Sequence, residues 1–297
     1  MNLLLLECGR EDARFPREDV IELFTSLKDS TKTIVFIVLV LLLAVGFNFI
    51  PHVNTFAYMM TPTIATLIMM LVVTRDGYRK AGWKKLGLHN LGLKSWGFAL
   101  VVPIIPLAVG FAVAYALNLS SFAPGSEFEG FSWKVVPLLV VFLYIKSVFT
   151  QSMGEELGWR GYLLPTMMGC MGRKPAMLFN GLVHGVWHFP LILNTEAYHS
   201  GENLWILLPM TVLSTIFLGP VIGEIRMRTG SVWTSSMIHT THNLVWLIFA
   251  GVTVEHHEAA KYISGDMGIF VIVFYAVLTL CMWRRMKSAN QHKEPQT

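Results

Sequence analysis

The chain has 297 residues, of which 54% are hydrophobic and only 14% carry a charge. Average soluble domains contain about 25% charged residues, so this composition excludes an ordinary soluble domain and predicts a polytopic membrane protein. The net charge of +4 does not indicate a nucleic-acid partner, because the basic residues cluster in short segments between apolar runs.

Eight apolar segments have roughly the length of a membrane-spanning helix, which needs about 20 residues. They cover residues 33–50, 56–74, 96–118, 135–157, 175–194, 203–223, 231–250 and 267–283. The predicted fold is therefore all-α, a polytopic membrane bundle of about eight transmembrane helices in a lipid bilayer. We expect a cytosolic N-terminal extension at 1–30, a membrane domain at 31–285 and a polar C-terminal tail at 286–297.

The Lys and Arg content of the connecting segments predicts the orientation in the membrane. The basic residues fall in segments 75–95, 158–174 and 224–230 and in the C-terminal tail, whereas the alternate segments 119–133, 195–202 and 251–266 are acidic. All basic segments lie on one side only if there are eight spans and both termini are cytoplasmic. In a bacterium, such a multi-pass protein would lie in the plasma membrane.

Two adjacent glutamates, Glu155 and Glu156, lie in the fourth predicted span. An ionised carboxylate costs a few kcal/mol in hydrocarbon, so the pair indicates either a function or local neutralisation. Glu156 and Arg160 are four residues apart and share one face of a continuous helix, while Glu155 points about 100° away. Arg160 is expected to hold Glu156, which leaves Glu155 for chemistry. The alternative is a structural ion pair beside a buffered second acid.

Imidazole groups occur in two further spans. His184 and His188 lie on one helical face of the fifth span, and His239 and Asn243 have the same spacing in the seventh. Helical rise predicts that these groups meet Glu155 in the cytoplasmic half of the membrane, in a cavity open to that side. The alternative for each histidine is hydrogen bonding between helices.

This set of residue types fits the hydrolysis of an amide bond without a covalent intermediate. A carboxylate and an imidazole can take a proton from water, and an imidazole N–H with an Asn amide can stabilise an oxyanion. His184 and His188 also have the spacing of two metal ligands, although the HExxH signature is absent because residue 185 is Gly. No cofactor is expected to be required; zinc held by His184, His188 and Glu155 is the alternative.

Three motifs resemble those of the CPBP family, membrane proteases that include the type II CAAX prenyl endopeptidases and bacterial proteins linked to bacteriocin immunity. Residues 155–160 match EExxxR, residues 184–188 are similar to FxxxH, and residues 239–243 match HxxxN. Their order and spacing agree with the family, and the resemblance covers about 135–250, the motif-bearing core. One departure is that His184 replaces the aromatic residue of the second motif.

The resemblance implies a helical membrane bundle with an intramembrane catalytic cavity and a metal-independent glutamate mechanism. The implied roles are water activation by Glu155 and His188, an oxyanion site from His239 and Asn243, and a brace from Glu156 and Arg160. The implied function is an endopeptidase that cleaves a membrane-associated protein or peptide, with or without a lipid anchor, from the cytoplasmic side.

Two other functional classes stay open. The chain could be a non-catalytic immunity or scaffold protein with a structural site, or an ion-coupled transporter, in which intramembrane Glu and His are also typical. The complete motif set favours the protease over the first, and the lack of internal repeats speaks against the second. Lys146 in the fourth span is expected either to reach toward the interface or to pair with an acid on another helix.

Overall fold

A computed structural model describes residues 27–47, 49–50, 55–194, 199 and 201–291 of the chain, with side chains as far as residue 285. Most of the predicted N-terminal extension (1–26) and the end of the predicted tail (292–297) therefore lie outside the described residues. Within them, the first helix begins at Asp29 and the last ends at Gln291.

The described chain is almost entirely helical. Its helices are α1 (Asp29–Phe47), α2 (Thr55–Met59), α3 (Thr61–Ile68), α4 (Lys80–Lys85), α5 (Trp96–Val101), α6 (Ile104–Ala116), α7 (Val136–Phe149), α8 (Gln151–Glu156), α9 (Leu164–Met171), α10 (Arg173–Trp187), α11 (Phe189–Asn194), α12 (Leu204–Thr229), α13 (Val232–Gly251), α14 (Ala259–Ser264) and α15 (Ile269–Gln291). Turns of π-helix occupy Met69–Val73 and Leu157–Leu163, and 3-10 turns occupy Asp76–Tyr78 and Leu93–Ser95. Short strands β1 (Ser120–Phe122) and β4 (Thr253–Glu255) pair antiparallel, as do β2 (Glu127–Phe128) and β3 (Phe131–Ser132).

Within the described residues, seven helical stretches are long and apolar enough to cross a membrane. They are Asp29–Phe47, Thr55–Val73, Leu93–Ala116, Val136–Met171, Arg173–Asn194, Leu204–Thr229 and Ala259–Arg285. The other predicted span forms α13, which has 20 residues but is less apolar because His239, His242 and Asn243 lie along it. The predicted all-α fold of a polytopic membrane protein is confirmed.

The predicted end of the fourth span was wrong. Residues 158–174 were expected to form a basic loop, but the helix continues through the π-helical turn to Met171. Arg160 suggested a loop, yet its side chain is 1% exposed and is paired inside the bundle, so it does not mark the edge of the hydrocarbon. Lys146 is exposed on α7 beside the exposed Ile145, a position that suits a side chain reaching along the lipid-facing surface.

Charged loops separate to opposite ends of the bundle. At one end, Arg226 Nη2 donates a hydrogen bond to the carbonyl of Lys85 at 2.8 Å. At the other end, β1 pairs with β4. We use "basic face" for the end formed by 75–92 and 226–230, and "acidic face" for the end formed by 119–133, 201–203 and 251–266.

Glycines bring α10 against α12 and so fix the helix that carries two of the histidines. Gly181 and Gly185 are four residues apart, as in small-residue contacts between membrane helices. A Cβ atom at Gly181 would lie 2.7 Å from the Cα of Ile216, and one at Gly185 would lie 2.8 Å from the Cα of Val212. Any larger residue at these positions would therefore force the two backbones apart.

Candidate active site

The two glutamates lie where α8 ends and the π-helical turn Leu157–Leu163 begins. Single π-helical turns within α-helices are often found at functional sites, because they re-aim side chains. Glu155 is 2% exposed and Glu156 is fully buried. Both carboxylates therefore depend on protein groups for compensation.

Glu156 is held by two cationic or hydrogen-bonding groups. Arg160 Nη1 donates to Glu156 Oε1 at 2.8 Å, and His239 Nδ1 donates to the same oxygen at 3.0 Å. The pairing expected from the spacing of Glu156 and Arg160 is thus present. The addition of His239 links this pair to α13.

Glu155 lies between two imidazoles. Its Oε2 is 3.0 Å from His184 Nε2, and its Oε1 is 4.0 Å from His239 Nε2. The other ring nitrogen of His184, Nδ1, is 3.4 Å from Arg160 Nη1. The nearest imidazole partner of Glu155 is therefore His184, the residue that departs from the family motif.

His188 is fixed by its own helix. Its Nδ1 donates to the carbonyl of His184 at 3.0 Å, which defines the tautomer of the neutral ring. Glu155, His184 and His188 each have one carboxylate oxygen or ring nitrogen within 4.8 Å of those of the other two residues. One water can bridge atoms at this separation, because each hydrogen bond spans about 2.8 Å.

The expected residues converge on one cavity of about 100 Å³, with Glu155, His184, His188, His239 and Asn243 in its wall. This volume is large enough for several waters. Glu156 and Arg160 are not in the wall; they lie behind Glu155 and contact it through His184 and His239.

The position predicted for Glu155, near the end of the fourth span, was wrong. The wall of the cavity also includes Thr55, Leu191 and Met267, which lie at or near helix ends. The prediction placed Glu155 near the end of its helix, but the helix runs 16 residues further (171 minus 155), or about 24 Å, to Met171.

One acidic residue at the cavity, Asp266, was missed by the sequence analysis. Asp266 is in the wall, and its carbonyl accepts a hydrogen bond from His242 Nε2 at 2.9 Å. The Asp266 carboxylate lies 3.4 Å from His199 Nε2, and Glu202 lies 2.8 Å from His199 Nδ1. Burial opposes a charge on His199, but the two carboxylates outweigh it and raise the pKa of His199 to about 10. The sequence feature that could have indicated Asp266 is its position immediately before the predicted span 267–283.

Glu155, His184 and His188 match the donor set expected for the zinc alternative. The surroundings oppose a cation there. Arginine can only donate hydrogen bonds, so His184 Nδ1 accepts from Arg160 and Nε2 carries the hydrogen, which blocks metal ligation through Nε2. The contact with Arg160 therefore disfavours metal ligation through His184, while the spacing of the three groups alone would permit it.

Comparison with known proteins agrees with the motifs. Residues 133–245 match the family described as type II CAAX prenyl endopeptidase Rce1-like. The chain is 28% identical over 128 residues to CAAX prenyl protease 2 of Methanococcus maripaludis, covering 40% of this chain and 45% of that protein. It is 24% identical over 141 residues to CAAX prenyl protease 2 of Homo sapiens, covering 43% of each. The match thus spans less than half the length of each relative.

Proposed function

We propose that this integral membrane protein is an endopeptidase. The proposal starts from the similarity of residues 133–245 to the Rce1-like type II CAAX prenyl endopeptidases, which confirms the predicted resemblance. The protein hydrolyses a peptide bond of a membrane-associated protein or peptide by means of water activated by Glu155 and His188. The observation that carries the proposal is the convergence of Glu155, His188, His239 and Asn243 on one buried cavity.

The proposed reaction begins with a water between Glu155 and His188. Glu155 takes a proton as the water oxygen attacks the peptide carbonyl, and the proton then passes to the leaving amine. His239 and Asn243 stabilise the oxyanion. Since His239 Nδ1 donates to Glu156, an Nε2 that also donates requires the imidazolium form, whose charge Glu155 and Glu156 compensate at 4.0 and 3.0 Å.

No metal takes part in the proposed reaction, since the Arg160 guanidinium lies against His184. The substrate is a membrane-associated polypeptide, and a prenyl group on it is not a requirement of the mechanism. Assaying matched peptides with and without a prenyl anchor decides whether the substrate named for the relatives applies here.

Glu155→Gln and His188→Ala test the mechanism in the purified protein with membrane peptides as substrates. We expect kcat to fall by about 10²–10⁴-fold in each, the usual contribution of general-base catalysis. Glu127→Gln, which removes an exposed acid at the acidic face, should leave kcat unchanged.

Wild-type cleavage should also survive metal chelation. Activity lost on chelation and restored by zinc would overturn the metal-free mechanism. Full activity in Glu155→Gln would overturn the assigned role of Glu155. A cellular phenotype that tolerates both Glu155→Gln and His188→Ala would favour the non-catalytic alternative.

We further propose that the basic face and both termini are cytoplasmic, since Lys and Arg are retained on that side. Glu155 lies near the middle of the helical stretch Val136–Met171, so cleavage from the cytoplasmic side, expected from the sequence, remains a prediction. In a chain whose three cysteines are replaced by serine, an impermeant thiol reagent applied to intact cells should label Ser126→Cys but not Lys85→Cys. The reverse pattern would contradict this orientation.

A further inference from the structure

We propose that His184 is a positioning residue that holds the Glu155 carboxylate in the orientation needed to take a proton from water. This inference rests on the proposed function and assigns a role to the residue that departs from the family motif. It is carried by a chain of contacts from Arg160 through His184 to Glu155.

The direction of each hydrogen bond in this chain follows from the residue types. Arg160 Nη1 can only donate, so His184 Nδ1, 3.4 Å away, is the acceptor. The hydrogen of the neutral ring is then on Nε2, which donates to Glu155 Oε2 at 3.0 Å. Oε2 is thereby engaged, and Oε1 remains on the side of His239, at 4.0 Å from its Nε2.

The ring of His184 is held in place by its neighbours. Its centroid lies 5.0 Å from the Trp159 ring and 5.8 Å from the Trp187 ring, and the side chain is buried. These contacts restrict rotation about the side-chain bonds. The N–H that points at Glu155 is therefore pre-organised before any substrate binds, as electrostatic catalysis requires.

An aromatic residue at this position could fill the same space but could form neither hydrogen bond. Arg160 Nη1 contacts both Glu156 Oε1, at 2.8 Å, and His184. His184 therefore connects the buried ion pair to the catalytic acid. Through His184, the ion pair of Glu156 and Arg160 therefore helps to position Glu155 as well as to brace the helix.

The test compares variants that keep the ring or keep the hydrogen bonds. His184→Phe keeps an aromatic ring without hydrogen bonds, and we expect kcat to fall about 10–100-fold, as when a group that orients an active-site residue is lost, with KM changed less than about twofold. His184→Gln supplies an amide that can accept from Arg160 and donate to Glu155, and should restore kcat to within about threefold of wild type.

A double variant separates positioning from a general loss of structure. If His184 acts through Glu155, then His184→Phe should not further reduce the residual rate of Glu155→Gln, because the two changes remove one shared contribution. Should His184→Phe fail to fold, His184→Met fills the site without strong hydrogen-bonding groups and takes its place.

Three outcomes bear on the inference. Wild-type kcat in His184→Phe would overturn it, as would a folded His184→Gln no more active than His184→Phe. Additive losses in the double variant would also overturn it, since His184 would then act independently of Glu155. An active Glu155→Gln would instead overturn the proposed function itself, so the two failures are distinguishable.

Discussion

The carboxylate oxygen Oε1 of Glu156 accepts hydrogen bonds from both Arg160 and His239, and the Glu156 side chain is fully buried. The other oxygen, Oε2, has no hydrogen-bond partner among the described residues. A buried ion pair gains little over apolar packing, but removing one member leaves an uncompensated charge. At the scale of single residues, the stability of the site therefore depends on keeping this pair matched.

Glu156→Ala is expected to lower the free energy of unfolding by about 3–5 kcal/mol, because Arg160 then stays buried without its carboxylate. Unfolding of the purified protein in detergent measures the loss. The double variant Glu156→Ala with Arg160→Met should regain much of the stability, since neither charge remains. A single variant as stable as wild type would show that Arg160 finds another partner.

At the scale of elements, the site depends on how closely α10 and α12 approach. The helix α10 carries His184 and His188, and its glycines leave no room for a side chain against the backbone of α12. In the bilayer, where apolar surface gains nothing by leaving lipid, such close backbone contact is a main source of helix association. Displacement of α10 would move both imidazoles away from Glu155.

Gly181→Ala should destabilise the protein by about 1–3 kcal/mol, the usual cost of overpacking, and should lower kcat as well. The control is Gly97→Ala in α5, where a Cβ atom meets nothing within 4 Å. That change should be neutral or slightly stabilising, because Ala favours the helix. Unfolding and peptide cleavage measured on both variants check the prediction, and equal behaviour of the two would contradict it.

At the scale of the whole molecule, His199 joins the connection after α11 to the segment before α15. It contacts Glu202 and Asp266, and Asp266 also lies in the cavity wall. The ion cluster therefore ties together segments at the acidic face that are far apart in sequence. Its charge state therefore affects the segment that supplies Asp266 to the cavity wall.

The raised pKa of His199, about 10, predicts a pH dependence of stability. The protonated ring stabilises the fold fully below its ordinary pKa, 6.5, and this contribution is lost as the pH rises through about 10. The melting temperature should therefore fall over that range, and the difference from His199→Gln should shrink in parallel. A difference between the two proteins that does not change with pH would contradict this assignment.

Local spacing predicted the parts of the site that lie on one helix. The contact between Glu156 and Arg160 follows from their four-residue separation, and the shared cavity of Glu155, His188, His239 and Asn243 follows from helical faces and order. The contact of His184 with Glu155 and the position of Asp266 depend on packing between helices, which no local pattern encodes. The continuation of the fourth span to Met171 was missed because Arg160 is neutralised by a partner that hydropathy does not count.

The cavity around Glu155 has a volume of about 100 Å³, which is small beside an extended polypeptide. If the chain is the proposed endopeptidase, we expect the surrounding helices to separate to admit a substrate, so that each turnover includes an opening step. Opening and closing of membrane helices is slow compared with proton transfer. Substrate selectivity would then depend on which polypeptide segments can enter between the helices. Neighbouring membrane proteins would not be cleaved, because the hydrolytic water is inaccessible until such a segment enters.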